Sequence, residues 1–105
     1  MAIDFETVNN VARNYADAVR KVFPVDKAYL FGSYAKGTAT DQSDVDVCFF
    51  LENFGEKRRI DITMELLNLT RGYKGVYFEP LAFPTSEMNN DNPFVKEILR
   101  TGKEI

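Results

Sequence analysis

The sequence predicts a small α/β or α+β domain in which helices pack on a mixed sheet. Three observations carry this. Apolar residues recur at three- and four-residue intervals through residues 4–23, two short apolar runs at 27–31 and 44–51 are bounded by turn residues, and Asn92-Pro93 opens a last helical stretch. A chain of 105 residues buries one core and is too short for two ordinary domains, so residues 1–105 are expected to form a single domain.

In the first stretch Val8, Val11, Ala12, Tyr15, Val19 and Val22 form the stripe of an amphipathic helix, with Asp4 as N-cap and Pro24 as stop. Asn10, Arg13, Asn14, Asp17, Arg20 and Lys21 make its polar face. Residues 27–31 read as a strand feeding a turn at Gly32. Residues 44–51, with Val45, Val47, Phe49 and Phe50, read as a strand buried on both faces and paired with the first. Ile60, Met64, Leu67 and Thr70, with Ile62, Leu66 and Leu69 nearby, describe a second helix closed by Gly72. Gly75 and the alternation from Val76 introduce a third strand, which Pro80 and Pro84 confine to an edge. Asn92 as N-cap and Pro93 in the first turn start the last helix, 94–100, and Gly102 stops it.

Composition removes several classes of function. The chain is 45% hydrophobic and 28% charged, which excludes a disordered or fibrous class. A net charge of −3 weighs against a domain that binds nucleic acid by neutralising phosphates. The one basic run, Lys57-Arg58-Arg59, reads as a solvated helix start or loop in preference to a phosphate or partner site, and carries no assigned role. There is no histidine, so Ser-His or Cys-His catalysis and histidine zinc sites are excluded. The single Cys48 lies in an apolar run and reads as a small core residue in a reducing compartment. No basic-then-apolar leader and no membrane-spanning apolar stretch is present, so a cytoplasmic location without membrane attachment is expected.

Chemistry concentrates in residues 30–51. An apolar run ends at Gly32-Ser33, a small-residue segment follows, and Asp44-Val45-Asp46 opens the next strand. Residues two apart on a strand share a face with Cα atoms roughly 6.5 Å apart, so Asp44 and Asp46 project together. At about 6 Å and an effective dielectric near 20 they repel by about 3 kcal/mol, on the order of two pKa units. A divalent cation relieves that repulsion, and Mg2+, which takes a few carboxylates plus phosphate oxygens, suits the pair better than Ca2+ does. Gly32 lets backbone approach phosphates, Ser33 and the N–H groups after it can donate to them, and Lys36 adds positive charge at the phosphate tail. These parts describe a site for a metal-bound nucleoside triphosphate.

Gly32-Ser33, ten intervening residues and Asp44-x-Asp46 resemble the motif of the nucleotidyltransferase superfamily that includes DNA polymerase beta. Phe-Gly-Ser-Tyr-Ala-Lys-Gly at 31–37 and Ser-Asp-Val-Asp-Val at 43–47 are similar to its minimal nucleotidyltransferase branch. The resemblance implies a polymerase beta-like fold and transfer of AMP from ATP to an acceptor hydroxyl, with pyrophosphate leaving. It further implies that Asp44 and Asp46 hold Mg2+, that Gly32 and Ser33 hold the β- and γ-phosphates, and that a third carboxylate activates the hydroxyl. That third position departs from the family's pattern: where an Asp is usual, the run 76–83 offers only Glu79, followed by Pro80. Glu79 is the candidate for third metal ligand and base, an exposed edge-strand charge being the alternative reading.

The branch resembled often pairs with a small helical HEPN-domain protein as antitoxin and toxin, adding AMP to a tyrosine of the toxic ribonuclease. By that resemblance the chain is an antitoxin whose acceptor arrives on a partner. A second reading keeps the nucleotide pocket but neutralises the partner by masking alone. A third, transfer to RNA or to an aminoglycoside, is disfavoured by the acidic balance and by the lack of a second domain. Tyr73, Tyr77 and Phe83 are candidates for a partner surface, although each reads as core in preference to interface.

Overall fold

The computed structural model describes residues 4–40 and 43–105. The expectations that rest on residues 1–3 and on Asp41 and Gln42 of the loop lie outside the described residues. The order of elements is α1 (Phe5–Arg20), β1 (Val25–Phe31), α2 (Gly32–Lys36), β2 (Val45–Leu51), α3 (Arg59–Asn68), β3 (Phe78–Pro84), a 3-10 turn (Thr85–Asn89), α4 (Pro93–Thr101) and β4 (Lys103–Glu104). One mixed sheet runs β3-β2-β1-β4: β1 is antiparallel to β2 and to β4, and β2 is parallel to β3. The expected small mixed sheet with flanking helices is what forms.

Local chemistry explains the ends of the helices. Asp4 caps α1 by accepting the Thr7 N–H at 2.9 Å, and the helix stops at Arg20, before the turn that leads to Pro24. Asn92 caps α4 by accepting the N–H groups of Phe94 and Val95, with Pro93 in the first turn and Gly102 at the close. A side chain at 102 would collide with the carbonyls of Ile98 and Leu30, so glycine lets the chain pass close to β1 and pair with it as β4. The sequence pattern did not mark β4, α2 or the 3-10 turn.

Strand alternation divides the core in two. One face carries Ala28, Leu30, Val45, Val47, Phe49, Leu51 and Ala82, covered by Val8, Ala12, Tyr15 and Val19 of α1 and by Ile62 and Leu66 of α3. The Tyr15 hydroxyl donates to the Leu66 carbonyl at 2.7 Å, tying the two helices together inside that core. The opposite face carries Cys48, Phe50 and Phe83 under Val95 and Ile98 of α4. β2 is therefore buried on both faces, as its near-continuous apolar run predicts. β3 lies at the edge, where Pro80 and Pro84 need no outer partner.

Three expectations are corrected. In α3 the row Ile60, Met64 and Leu67 is exposed, while Ile62 and Leu66 face the core. Two apolar rows share this short helix, and only its docking on β3 selects between them. Gly72 does not end the helix: Leu69 is the C-cap, in ordinary helical conformation. Val22 is 57% exposed because α1 has already ended. Cys48 is fully buried, and burial pushes its thiol up to about 12. The basic run is engaged locally: Lys57 pairs with Glu65 at 2.8 Å, Arg58 with Asp61 at 3.1 Å, and the Arg59 guanidinium sits 4.1 Å over the Phe83 ring.

Candidate active site

The topology brings the carboxyl end of β1 and the amino ends of β2 and β3 to one end of the sheet. Phe31 of β1 lies opposite Asp46 of β2, and Asp46 lies opposite Glu79 of β3. Asp46 alternates with Cys48 and Glu79 with Leu81, so both acids belong to the face that α4 covers. The cover does not reach them fully: Asp46 is half-buried and Glu79 exposed. Asp44 is exposed and precedes β2 by one residue, so the strand begins at Val45 and not at Asp44. The Val45 N–H donates to the Tyr77 carbonyl at 2.8 Å, which fixes the start of β2 against the segment entering β3.

Gly32 turns the chain out of β1 with φ 72°, in the left-handed region that favours glycine. A Cβ built there would overlap Oδ2 of Asp46. The turn and the strand acid are therefore in direct apposition. Ser33 does not sit in an open loop: residues 32–36 form α2, and the Ser33 carbonyl accepts the N–H of Thr38 at 2.9 Å. Lys36 ends this turn with its Nζ 3.5 Å from Oε1 of Glu97 on α4. Glu97 also accepts from Arg100 at 2.7 Å, and that bond holds its carboxyl below the ordinary range. Between α2 and α4, beside Gly32, lies a cavity of about 220 Å³ walled by Phe31, Phe94 and Ile98, with Lys36 and Glu97 also lining it.

The electrostatics centre on Asp46. Its carboxyl is raised from 3.8 to about 7, first by burial, then by a hydrogen bond and repulsion from Glu79, and last by Asp44. The repulsion expected between Asp44 and Asp46 is thus the smallest cause, because Asp44 stands in solvent. The larger effect comes from the cross-strand neighbour Glu79, which sequence spacing could not pair with Asp46.

Among the described residues, no three carboxylate, cysteine or histidine groups are gathered closely enough to hold a metal ion by themselves. Asp44, Asp46 and Glu79 share one end of the sheet without forming a protein-only cage. The donor set still fits Mg2+, which is bound by one or two carboxylates completed by phosphate oxygens and water. The unrelieved repulsion on Asp46 is what such a cation would remove.

Of the three residues considered for a partner surface, Tyr77 is 76% exposed, Phe83 is buried, and Tyr73 packs on the core with its hydroxyl donating to Asn14 at 2.5 Å. Glu97 was not foreseen as part of the site, since only the packing of α4 on α2 brings it to Lys36. No local signal distinguishes it from other surface acids.

Comparison with known proteins gives the class. Residues 8–105 match the Polymerase beta, Nucleotidyltransferase family. The chain belongs to this nucleotidyltransferase family. It is 31% identical over 110 residues, 98% of this chain and 74% of the other, to a Methanocaldococcus jannaschii protein provisionally named a protein adenylyltransferase. Its fold is similar to the crystal structure of a provisionally assigned nucleotidyltransferase from Sulfolobus solfataricus, with TM-score 0.63 and 22% identity, covering 95% of this chain and 80% of that one. Among the described residues, no helix is long and apolar enough to cross a membrane.

Proposed function

We propose that this chain, acting as a single nucleotidyltransferase domain, moves AMP from ATP to a hydroxyl on a partner protein in a Mg2+-dependent reaction. The observation that carries the reading is the apposition of the Gly32 turn to Asp46, with Glu79 in register on the next strand. In this reading Gly32 and Ser33 hold the phosphate tail and Lys36 offsets its charge. Asp44 and Asp46 hold Mg2+, assisted by Glu79; the ion, when bound, neutralises phosphate charge as the leaving group departs. Glu79 takes the proton of the acceptor hydroxyl. The acceptor oxygen forms its bond to the α-phosphorus while the bond to the bridging oxygen of pyrophosphate breaks.

A protein acceptor is supported by the relative named as a protein adenylyltransferase. The partner we infer is a HEPN-domain toxin modified on a tyrosine, which makes this chain a cytoplasmic antitoxin; the support is the likeness of residues 31–37 and 43–47 to the minimal nucleotidyltransferase branch. The test incubates the chain with Mg2+, labelled ATP and the product of the neighbouring gene. Label on the partner with the wild type and none with Asp46→Asn is expected. Absence of label with the carboxylates intact sinks the proposal.

A second reading is favoured by the exposure of Glu79 and, among the described residues, the lack of a gathered metal trio: a nucleotide-binding module that neutralises its partner by complex formation alone. It requires that Asp44→Asn and Asp46→Asn leave neutralisation intact, whereas the enzymatic reading requires that they abolish it.

A further inference from the structure

We infer that the strip formed by Tyr77, just before β3, and by Glu79 and Leu81 within it seats the acceptor, with the Tyr77 ring packed on an aromatic side chain that carries the hydroxyl. This inference rests on the nucleotidyl-transfer reading and names the surface by which the partner reaches the site.

Strand alternation puts the three side chains on one face. Leu81 packs with Phe50 and Phe83 in the cluster under α4, and Glu79, two residues earlier, shares that face with Asp46. Tyr77 continues the strip. Its carbonyl accepts the Val45 N–H at 2.8 Å, so the pairing with β2 runs one residue beyond β3, and its neighbours Val76 and Phe78 both pack on the opposite core beneath α1 and α3. The cover thins along the strip: Phe83 is buried, Leu81 half-buried, Glu79 exposed, and Tyr77, at 76%, is the most exposed large hydrophobic side chain among the described residues.

The direction of transfer leads the acceptor to this strip. Entering and leaving oxygens stand roughly in line on opposite sides of the α-phosphorus. The Gly32 turn that takes the phosphate tail leaves β1, Asp46 is on β2, and Glu79 is paired with Asp46 from β3. Pyrophosphate therefore departs on the β1 side and the hydroxyl enters on the β3 side, where its proton passes to Glu79. β3 is an edge of the sheet, so a partner reaches it from solvent. Pro80 and Pro84 deprive that edge of N–H donors, so the partner is held by side chains and not by adding a strand.

The chemistry of the strip selects the acceptor. An aromatic ring and a leucine stand on either side of the Glu79 carboxylate, so a hydroxyl delivered there is framed by apolar surface. A phenol meets both demands, its ring packing on Tyr77 while its oxygen reaches Glu79. A serine or threonine hydroxyl leaves the Tyr77 ring uncovered. The negative charge of Glu79 repels a polyanion, which disfavours RNA as acceptor. Because the Tyr77 backbone is fixed by its bond to Val45, docking on the ring orders little of this chain.

The test measures transfer from labelled ATP in Mg2+ to the product of the neighbouring gene, with wild type, Tyr77→Ala and Tyr77→Phe, alongside calorimetric titration of each with ATP and thermal unfolding to confirm the fold. Tyr77→Ala is expected to raise KM for the acceptor protein about tenfold with kcat little changed and ATP affinity unchanged, while Tyr77→Phe stays close to wild type. Mass spectrometry of the labelled protein is expected to find AMP on tyrosine. An unchanged acceptor KM in Tyr77→Ala overturns the inference, as does a matching loss of ATP affinity, which would place the ring against the nucleotide. AMP found on serine or threonine overturns the aromatic acceptor. A wild type that binds ATP and labels no protein refutes transfer to a protein and this inference with it.

Discussion

Gly32 and the carboxylate of Asp46 share one space: any side chain at 32 would fall on Oδ2 of Asp46. The turn that leaves the first strand and the acid that opens the second are thus packed as a unit, although the thirteen positions between them include a loop. A positive φ of 72° at Gly32 adds a second reason for glycine there.

Gly32→Ala is expected to cost about 1–3 kcal/mol through the left-handed backbone alone and to displace Asp46. Thermal unfolding should shift down, and AMP transfer should fall with it. Unchanged unfolding together with full transfer would show that the turn relaxes freely.

Asp46 gives a pH dependence. Its carboxyl titrates near 7 in the folded chain against 3.8 ordinarily, so folding favours the protonated form. The contribution is fully present below about 4 and lost as pH rises through about 7. In chelator, the wild-type urea midpoint relative to Asp46→Asn should decline between about pH 4.5 and 7.5. Adding Mg2+ near neutrality should recover part of the loss in the wild type only. A constant difference between the two proteins would show that Asp46 is not held protonated.

Glu79→Gln keeps the size and removes the proton acceptor. Transfer should drop by at least about a hundredfold, the usual contribution of a general base. ATP affinity should change little. Calorimetry and a labelling assay separate the two effects, and full turnover in this variant excludes Glu79 as base.

Lys36 is paired with Glu97, and on the proposed reading Glu97 competes with the phosphate tail for that ammonium. Both groups are near half exposed, so the pair contributes at most about 1 kcal/mol. Glu97→Gln should therefore tighten ATP by no more than about fivefold, with the gain shrinking as salt rises. Weaker ATP binding in this variant would mean that Glu97 positions Lys36 and does not restrain it.

In α3, Leu66→Ala should cost about 2–5 kcal/mol, as for a buried leucine. Met64→Ser on the exposed row should stay within about 0.5 kcal/mol. Chemical denaturation of the two variants checks the assignment of faces directly.

Much of this was legible in the sequence because it depends on neighbours in the chain. Asp4 and Asn92 cap helices by bonding N–H groups two or three residues on, and Pro80 and Pro84 mark an edge strand because proline lacks an N–H. That Gly32-Ser33 and Asp44-x-Asp46 meet at one end of paired strands was legible for a similar reason, since a turn and the strand after it are set by short-range geometry. The five-residue α2 was not legible, being too short for a periodic pattern. Nor was the two-residue β4, which exists only because Gly102 lets the chain reach β1.

By itself, then, the sequence determined the longer helices and strands, the mixed sheet they form, and the residues proposed to handle a nucleotide. Tertiary structure alone decided which of two apolar rows on α3 is buried, that Glu97 holds Lys36, and that Glu79 stands beside Asp46. The reason is physical. Caps, turns and alternation are fixed by covalent neighbours, whereas burial and cross-strand charge depend on register between segments far apart in the chain, which only the packed sheet sets. The raised carboxyl of Asp46 follows from that register, owing more to burial and to Glu79 than to its sequence neighbour Asp44.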